Sequence, residues 1–383
     1  MLGIIQEQHP RRASLFLQWK GIDWPVLIDS LNLLEVSVVP ITLLIDEHGV
    51  IRRVAPRRSD PAELVEAFLA ESFEPPQSTA ADTGPPDLAM LKPKSAGAGA
   101  AAWRRYGEAL TLWGGEARLN EAIAALDEAI ALDPEDGWAE FRRGVASRLR
   151  YDSPQGRPAD FKAAVSHWTR ARQIDPNNYI WLRRIQQFGP RLDKPYPFYD
   201  WVAEAREAIE SRGETPPTLA VEPRGAELTS PSRSFRGADA APAEPDPEGR
   251  IHRDAGRLIR VDGATVPLTV GPGKAARVHL EFRPNPEHDA HWNNEAAGMV
   301  VWVDPPAGWL VDRRKIELAN PASAASLEKR RVELEVRRSE RAAGPGALEG
   351  YALYYVCEGA GGPCLYRRQD ISVTLGVEGP DGS

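Results

Sequence analysis

The two cysteines of the chain, Cys357 and Cys364, lie on either side of the sequence EGAGGP. A glycine-rich turn between two strands can bring the β-carbons of two cysteines within the ~3.5–4.5 Å that a disulfide requires. Such a bond closes a small loop, so its contribution to stability is modest. It can also exchange with an external thiol. Three interpretations follow: a stabilising hairpin disulfide, two unpaired thiols, or a redox-active pair.

A polar loop, PEHDAHWNNE, holds side chains of the kinds that bind metal ions. These are His288, Asp289, His291 and Glu295. No second group of ligands accompanies them in the sequence, so we interpret the segment as a polar loop before a strand and predict no metal site. We predict no cofactor either, since no phosphate-binding loop, Ser/His/Asp set or paired-carboxylate motif is present.

The elements around the cysteines alternate between apolar and polar residues with period two, which is typical of strands with one buried face. In ARVHLEFRP the apolar set is Val278, Leu280 and Phe282, and in RVELEVRR it is Val332, Leu334 and Val336. The segments MVVWVD, GYALYYVC and DISVTLGV add further strands, separated by turn-forming residues. We expect an antiparallel β-sandwich.

The middle of the chain carries an internal repeat, in which LNEAIAALDEAIALDPEDGWAEFRRG aligns with DFKAAVSHWTRARQIDPNNYIWLRRI without a gap. Each copy places small and large apolar residues on one helical face and ends at a proline. The matched positions are Ala122, Leu126, Ala129 and Pro134 in the first copy and Ala164, Trp168, Ala171 and Pro176 in the second. Gly107 and Gly144 fit the front helix of each pair, where a small residue permits close helix approach. We expect further helices over 179–188 and 199–212 to cap the stack.

This pattern resembles the tetratricopeptide repeat, which implies stacked helix pairs and a protein partner bound by them. The arginine pairs Arg142–Arg143 and Arg183–Arg184 fit either the binding of an acidic peptide on the concave face or a solvated helix face. We interpret the tryptophans of the repeat as packing residues rather than as a recognition groove. They are Trp103, Trp138, Trp168 and Trp181.

The first residues alternate between strand-like and helix-like segments. LGII at 2–5 predicts a strand, 10–20 a helix and SLNLLEV a short helix. VSVVPITLLIDEHGVIRRV predicts two strands joined by a DEHG hairpin turn, and a helix over 60–72 follows.

Residues 1–73 are similar to the rear half of the thioredoxin/redoxin family, in the branch that includes TlpA-like and peroxiredoxin-like proteins. The resemblance rests on Val39-Pro40 ahead of a strand that ends at Ile45-Asp46, with Gly49 in the turn after it. In that family the Val-Pro bond is cis and lies against the redox cysteines. The resemblance therefore implies that Pro40 flanks the catalytic site, whereas a trans proline that opens an edge strand is the alternative.

The family's nucleophilic cysteine opens a helix that precedes the strand matched here by LGII, and the helix N-terminus lowers the pKa of its thiol. This chain begins after that point, so we predict no catalytic residue within it. The strand that lies between the LGII and VPITLLI strands in the family is missing too. We expect the chain to be truncated or inactive through a gene model that starts late. The alternatives are a partner that supplies the strand and a loosely packed remnant.

The length of 383 residues predicts a multidomain α+β protein. We expect a partial thioredoxin-like domain at 1–73, a linker at 74–100, helical repeats at 101–213, a linker at 214–250 and a β-sandwich with the cysteine pair at 251–379. The net charge of −8 argues against nucleic-acid or anionic-membrane binding, and no apolar run reaches the ~18 residues of a membrane helix.

Together the modules predict a thiol–disulfide redox protein. The segment YYVCEGAGGPCLY is loosely similar to the paired cysteines of the DsbD N-terminal β-sandwich. That resemblance implies exchange of Cys357 and Cys364 with a thioredoxin-like thiol protein. The alternative is a non-enzymatic interaction scaffold that binds a partner peptide through its helical repeats.

Overall fold

The computed structural model describes ten stretches of the chain: residues 2–37, 41–55, 61–75, 85–94, 97–157, 159–189, 201–219, 242–340, 344–359 and 361–378. It combines α-helices with antiparallel sheets, as the sequence predicts. No helix in these stretches has the length and apolar character needed to cross a membrane.

The N-terminal module contains two small sheets and two helices. Its elements are β1 (Gly3–Ile5), α1 (Pro10–Lys20), β2 (Val26–Ile28), β3 (Thr42–Ile45), β4 (Ile51–Ala55) and α2 (Pro61–Leu69). β1 pairs with β2 in parallel, and β3 pairs with β4 as an antiparallel hairpin. Gly49, at φ 78°, allows the tight turn of this hairpin. In the described residues no strand joins the two sheets.

The segment SLNLLEV is not the predicted helix; it forms a series of turns. Asn32 and Glu35 adopt the left-handed conformation, at φ 52° and 51°, which interrupts a helix. The Asn32 side chain bonds both the N–H and the carbonyl of Val36, and Asp29 accepts from the N–H of Leu33. Side chains that bond the backbone locally compete with helix formation.

The helical module consists of antiparallel neighbours that follow one another along the chain. Its helices are α3 (Leu88–Leu91), α4 (Ala100–Trp113), α5 (Leu119–Leu132), α6 (Gly137–Asp152), α7 (Asp160–Ile174) and α8 (Tyr179–Gln186). A β-carbon on Gly107 would lie 2.6 Å from Leu126 Cγ, and one on Gly144 would lie 2.4 Å from Trp168 Cδ1. Glycine at these repeat-equivalent positions therefore lets α4 approach α5 and α6 approach α7.

The next helix, α9 (Trp201–Ser211), does not extend this stack as the sequence predicts. It packs against α1, where Leu15 joins Val202, Ala205 and Ile209 in one buried cluster. The rings of Trp19 and Trp201 stack with centroids 5.7 Å apart. The last described helix before the strands is thus a partner of the N-terminal module.

The two-sheet module comprises β5 to β15. The strands are β5 (Ile259–Val266), β6 (Thr269–Val270), β7 (Ala275–Pro284), β8 (Ala290–Asn293), β9 (Met299–Asp304), β10 (Trp309–Val311), β11 (Lys315–Leu318), β12 (Ala325–Ser326), β13 (Arg330–Arg338), β14 (Gly346–Glu358) and β15 (Cys364–Val377). One sheet has the order β10-β13-β7-β5, and the other has the order β11-β9-β14-β15-β6 with β8 and β12 at its side. A single buried cluster contains side chains of both sheets, among them Phe282, Leu334 and Val356. The apolar residues predicted from period-two alternation all lie in it.

The outer face of the first sheet docks on the helical module. Val266 of β5 shares a buried cluster with Trp168 of α7. His279 of β7 hydrogen-bonds the carbonyl oxygen of Phe188 at 2.7 Å, and the Arg283 guanidinium donates to the carbonyl of Gly156 at 2.9 Å. These contacts hold the two-sheet module against the end of the helices.

Candidate functional site

Cys357 and Cys364 form a disulfide that joins β14 to β15. The two residues are direct partners in the antiparallel register, as the last pair before the glycine-rich loop. Gly359 and Gly361 in that loop adopt φ 69° and 76°, a conformation that favours glycine. The described chain contains no free cysteine. Both cysteines of the sequence therefore meet at the loop end of this hairpin.

The two half-cystines differ in their access to solvent. Cys357 is 5% exposed, whereas Cys364 is exposed. Val356, the neighbour of Cys357 in β14, is buried in the core between the sheets. Since successive side chains of a strand point to opposite faces, the disulfide lies on the outer face of its sheet. An external molecule thus reaches the pair from the Cys364 side.

Two tyrosines flank the disulfide on the same outer face. Tyr355 and Tyr366 are register partners two residues from the cysteines, and their rings stack with centroids 4.5 Å apart. Tyr366 is 38% exposed. Burial, and then the neighbouring Tyr355, raise the pKa of Tyr366, so its hydroxyl stays protonated at neutral pH. The pair forms a partly exposed aromatic surface beside the sulfur atoms.

A charged pair lies on the opposite face at the hairpin end. Arg257 donates two hydrogen bonds to the Glu358 carboxylate, at 2.8 and 2.6 Å. This bidentate contact lowers the pKa of Glu358. The carboxylate next to Cys357 is therefore held away from the disulfide and neutralised by its own partner.

The residues of the polar loop do not assemble into a metal centre in the part of the chain that is described. No group of three or more His, Cys, Asp or Glu side chains there is placed to hold a metal ion. His288 lies 4.0 Å from Glu358, and His291 is at the start of β8. β8 pairs with β14, and the register sets His291 opposite Cys357. The register thus places a histidine of this loop beside Cys357.

The predicted cis-proline, Pro40, lies outside the described residues. The four tryptophans singled out in the repeat are packing residues. Trp168 and Trp181 are buried in the core of the helical module, and Trp138 packs against it. Trp103 of α4 packs against the cluster that α4 forms with α5.

The two predicted arginine pairs separate in the structure. Arg143 bonds Asp127 and Ser147, and Arg183 donates to Gln186. Arg142 and Arg184, by contrast, are 2% and 3% exposed and turn toward the N-terminal module. In each pair, therefore, one arginine contacts the N-terminal module and the other bonds a residue of the helical module.

The turn segment 29–37 lies across the helical module at these two arginines. Arg142 donates to the carbonyl oxygens of Leu31 and Asn32 and to Glu35, and Arg184 donates to that of Ser30. Leu31 itself is fully buried in the cluster that contains Phe141 and Trp181. This surface of the helices is therefore covered by the chain's own N-terminal residues.

A buried cluster of charges lies where the three modules meet. His9 Nδ1 is 3.6 Å from Asp152 Oδ2, and Arg331 of β13 lies 3.7 Å from the same carboxylate and 3.0 Å from Glu281. His9 Nε2 has no hydrogen-bond partner among the described residues. Burial, and then nearby arginines, lower the pKa of His9 well below its usual value. His9 is thus held neutral in the folded chain.

A polar cleft of about 510 Å³ lies on the outer face of the second sheet, lined by Trp302, Tyr351 and charged residues. Two of its four carboxylates are paired with arginines of the cleft, whereas Glu244 and Glu349 accept from the hydroxyls of Tyr351 and Ser372. Asp304 bonds Arg314 at 2.6 Å, and Asp370 bonds Arg368 at 2.8 Å. The cleft therefore has an excess of acidic side chains.

Sequence reasoning identified the cysteines but missed several of the residues around them. Tyr355 and Tyr366 lie at equal distances from the two cysteines within alternating strands, a pattern that places them on one face and that could have been read from the sequence. The position of His291 beside Cys357 depends on the register between β8 and β14, which no local pattern encodes. The burial of Leu31 and His9 depends on contacts between modules.

Comparisons with known proteins give no family for this chain. No protein-family model matches the sequence. No curated protein matches it either. Among solved structures, AvmM, which catalyses macrocyclization in alchivemycin A biosynthesis, aligns over 32% of this chain and 90% of its own, with 15% identity and a TM-score of 0.19.

Two further structures give similar values. The yeast GGA1 GAE domain aligns over 31% of this chain and 90% of its own, with 14% identity and a TM-score of 0.19. The ASH/PapD-like domain 7 of human CEP192 aligns over 37% of this chain and 98% of its own, with 10% identity and a TM-score of 0.17. Scores at this level carry no argument about this chain.

Proposed function

We propose that the chain is a thiol–disulfide exchange protein whose reactive group is the Cys357–Cys364 pair. The observation that carries the proposal is the unequal exposure of two half-cystines at the loop end of a hairpin. A staple needs no such asymmetry, whereas exchange requires one sulfur that an external thiolate can reach. Cys364 is exposed and Cys357 is 5% exposed.

The surroundings of the pair support this function. Tyr355 and Tyr366 offer an aromatic surface next to the sulfur atoms, and aromatic residues with a polar tip are favoured where proteins meet. Exchange with a dithiol protein requires such a contact, because the partner's sulfur must come within bonding distance of Cys364. We therefore propose a thioredoxin-like thiol protein as the partner.

We also propose that the modules are the ones that the sequence resembles. The parallel pair β1–β2 and the separate hairpin β3–β4 support a redoxin-like piece that lacks a connecting strand between them. The equivalent contacts of Gly107 with Leu126 and of Gly144 with Trp168 support a tetratricopeptide-type repeat. Two antiparallel sheets with one shared core support a β-sandwich.

A trapping experiment tests the exchange function. The full chain is mixed with a thioredoxin whose resolving cysteine is replaced by serine, so that a mixed disulfide persists. We expect an adduct on Cys364 and none on Cys357, located by peptide mass spectrometry. Insulin serves as the positive control for the reagent. Absence of an adduct while insulin is attacked would contradict the proposal.

A second candidate function, an interaction scaffold without redox chemistry, is favoured by apolar side chains exposed on the N-terminal module. Leu27, Val54 and Leu69 are 54%, 62% and 75% exposed. A partner that covers these side chains would remove their apolar surface from water. The scaffold predicts that partners captured by the full chain are retained by the Cys357→Ser/Cys364→Ser variant and lost from Val54→Asp. The exchange function predicts that partners are lost from the double cysteine variant and retained by Val54→Asp.

A further inference from the structure

The strand register gives Cys357 two neighbours, one on each side. Cys364 of β15 is its partner in one direction, and His291 of β8 is its partner in the other. Side chains directly opposite each other on antiparallel strands have β-carbons roughly 4.5–5.5 Å apart and project from the same face. The imidazole of His291 and the disulfide therefore share the outer face of the sheet.

The neighbours of these residues confirm which face this is. Val356 pairs with Trp292, and both side chains are fully buried in the core between the sheets. Because side chains alternate along a strand, Cys357 and His291 point away from that core. His291 is partly exposed, so protons from water can reach it.

Few charges compete for the imidazole. On its own strand, His291 Nδ1 lies 3.5 Å from the backbone carbonyl oxygen of Asp289, a long contact. On β14, Glu358 projects to the other face and is bound by Arg257, with His288 at 4.0 Å. On the β12 side, Glu328 pairs with Arg330.

We propose that His291 donates the proton that stabilises Cys357 as the leaving group when the disulfide is reduced. This inference rests on the exchange function proposed above. A leaving thiolate at Cys357 would be formed in a site that is 5% exposed, where an isolated negative charge is costly. An adjacent imidazolium removes that cost by protonating the sulfur.

A thiolate of a dithiol reductant attacks Sγ of Cys364 and forms a mixed disulfide. The Cys357–Cys364 bond breaks with its electron pair on Cys357, which takes the proton of the His291 imidazolium. The second thiolate of the reductant then attacks the reductant's first sulfur, which is bonded to Cys364 in the mixed disulfide. Cys364 leaves as a thiolate, which is protonated by water. Two electrons pass to the chain, and the reductant becomes a disulfide.

The pH dependence of the reduction rate tests this role. Dithiothreitol reduces the full chain, the reaction is quenched by alkylation, and each rate is divided by the thiolate fraction of the reagent. The imidazolium form of histidine is populated at acidic pH, so we expect His291→Gln to slow reduction about ten-fold near pH 6 and little near pH 8.5. His291→Lys, which keeps a positive charge beside Cys357 at every pH in this range, should be reduced faster than His291→Gln, without the pH dependence.

His288→Gln is the matched control, because it removes another histidine of the same loop that is not opposite Cys357. It should reproduce the wild-type profile. Identical profiles for wild type and His291→Gln would overturn the inference while leaving exchange intact. A disulfide that resists dithiothreitol and thioredoxin in wild type and variants alike would instead overturn the exchange function. Far-ultraviolet circular dichroism of each variant checks that the fold is retained.

Discussion

Arg142 of α6 donates a hydrogen bond of 3.2 Å to the backbone carbonyl oxygen of Leu31, a residue 111 positions earlier in the chain. The contact joins the segment that follows β2 to the helical module. Leu31 adds an apolar side chain that is fully buried among Phe141, Val145 and Trp181. The Arg142 guanidinium and the Leu31 side chain therefore contribute to the anchoring of the N-terminal module on the helices, beside the contacts of Arg184 and Asp152.

Replacement of Leu31 by alanine tests the apolar part of this anchor. Removal of a fully buried leucine side chain leaves a cavity, and we expect the free energy of unfolding to fall by about 3 kcal/mol. Leu33→Ala, two residues away and 43% exposed, should change it by less than about 0.5 kcal/mol. Urea unfolding of both variants measures the difference. Equal effects would show that Leu31 is not the anchor.

Replacement of Arg142 by glutamine tests the polar part. The substitution leaves Glu108, whose side chain is 15% exposed, with only the longer contact to Arg104 at 3.7 Å, and we expect a loss of about 2 kcal/mol. Arg143→Gln on the same helix affects a pair with Asp127, which is half exposed, and should cost about 1 kcal/mol or less. Hydrogen exchange should rise over 29–37 in the first variant alone. A rise in both would argue against a specific contact.

His9 predicts a dependence of stability on pH. Burial lowers its pKa in the folded chain, so below the ordinary histidine pKa the unfolded chain binds the additional proton and stability falls as the pH drops. Urea unfolding at about pH 8 and about pH 5.5 should show a larger loss for wild type than for His9→Gln. His288→Gln should keep the wild-type slope. A wild-type slope in His9→Gln as well would contradict the account.

For Asp262 of β5 we predict the opposite dependence of stability on pH. Burial raises its pKa to about 6 in the folded chain. Between the unfolded pKa and this value the folded chain holds the proton more tightly, so stability falls as the pH rises through about 4 to 6 and the cost remains above that range. Asp262→Asn should therefore be more stable than wild type near pH 8, with a smaller gain near pH 5.

Asp370→Asn is the contrasting variant. Burial opposes ionisation of Asp370, but hydrogen bonds from Arg368 and Arg253 outweigh it and lower its pKa. Its substitution should reduce stability near pH 8. Thermal unfolding of both variants at the two pH values compares the signs, and a stabilised Asp370→Asn would contradict the assignment of these partners.

The sequence predicts those elements whose pattern is local. The alternation in ARVHLEFRP and RVELEVRR identifies β7 and β13 and their buried faces, because the period of a strand is two residues. The repeat around Ala122 and Ala164 identifies α5 and α7, because its apolar residues recur with the spacing of one helical face.

Local sequence patterns do not predict the structure where a contact with a distant residue, or a side chain that bonds the backbone, determines it. SLNLLEV has apolar spacing that fits a helix, yet the Asn32 side chain bonds the backbone of Val36 and the segment binds Arg142. The helix over 201–211 packs against α1, where the ring of Trp201 stacks on that of Trp19. The two tryptophans are far apart in the sequence. His9 is buried through Asp152 and Arg148, residues that no motif links to it. Contacts between modules are therefore the part that the sequence does not predict.

The reduction potential of the Cys357–Cys364 disulfide tests the exchange function most directly. The full chain is equilibrated in dithiothreitol and glutathione buffers, and the oxidised fraction is measured by alkylation and mass spectrometry. A disulfide that exchanges with a thioredoxin-like protein should have its midpoint between about −180 and −270 mV. A bond that remains oxidised below about −300 mV would be a structural staple and would contradict the account.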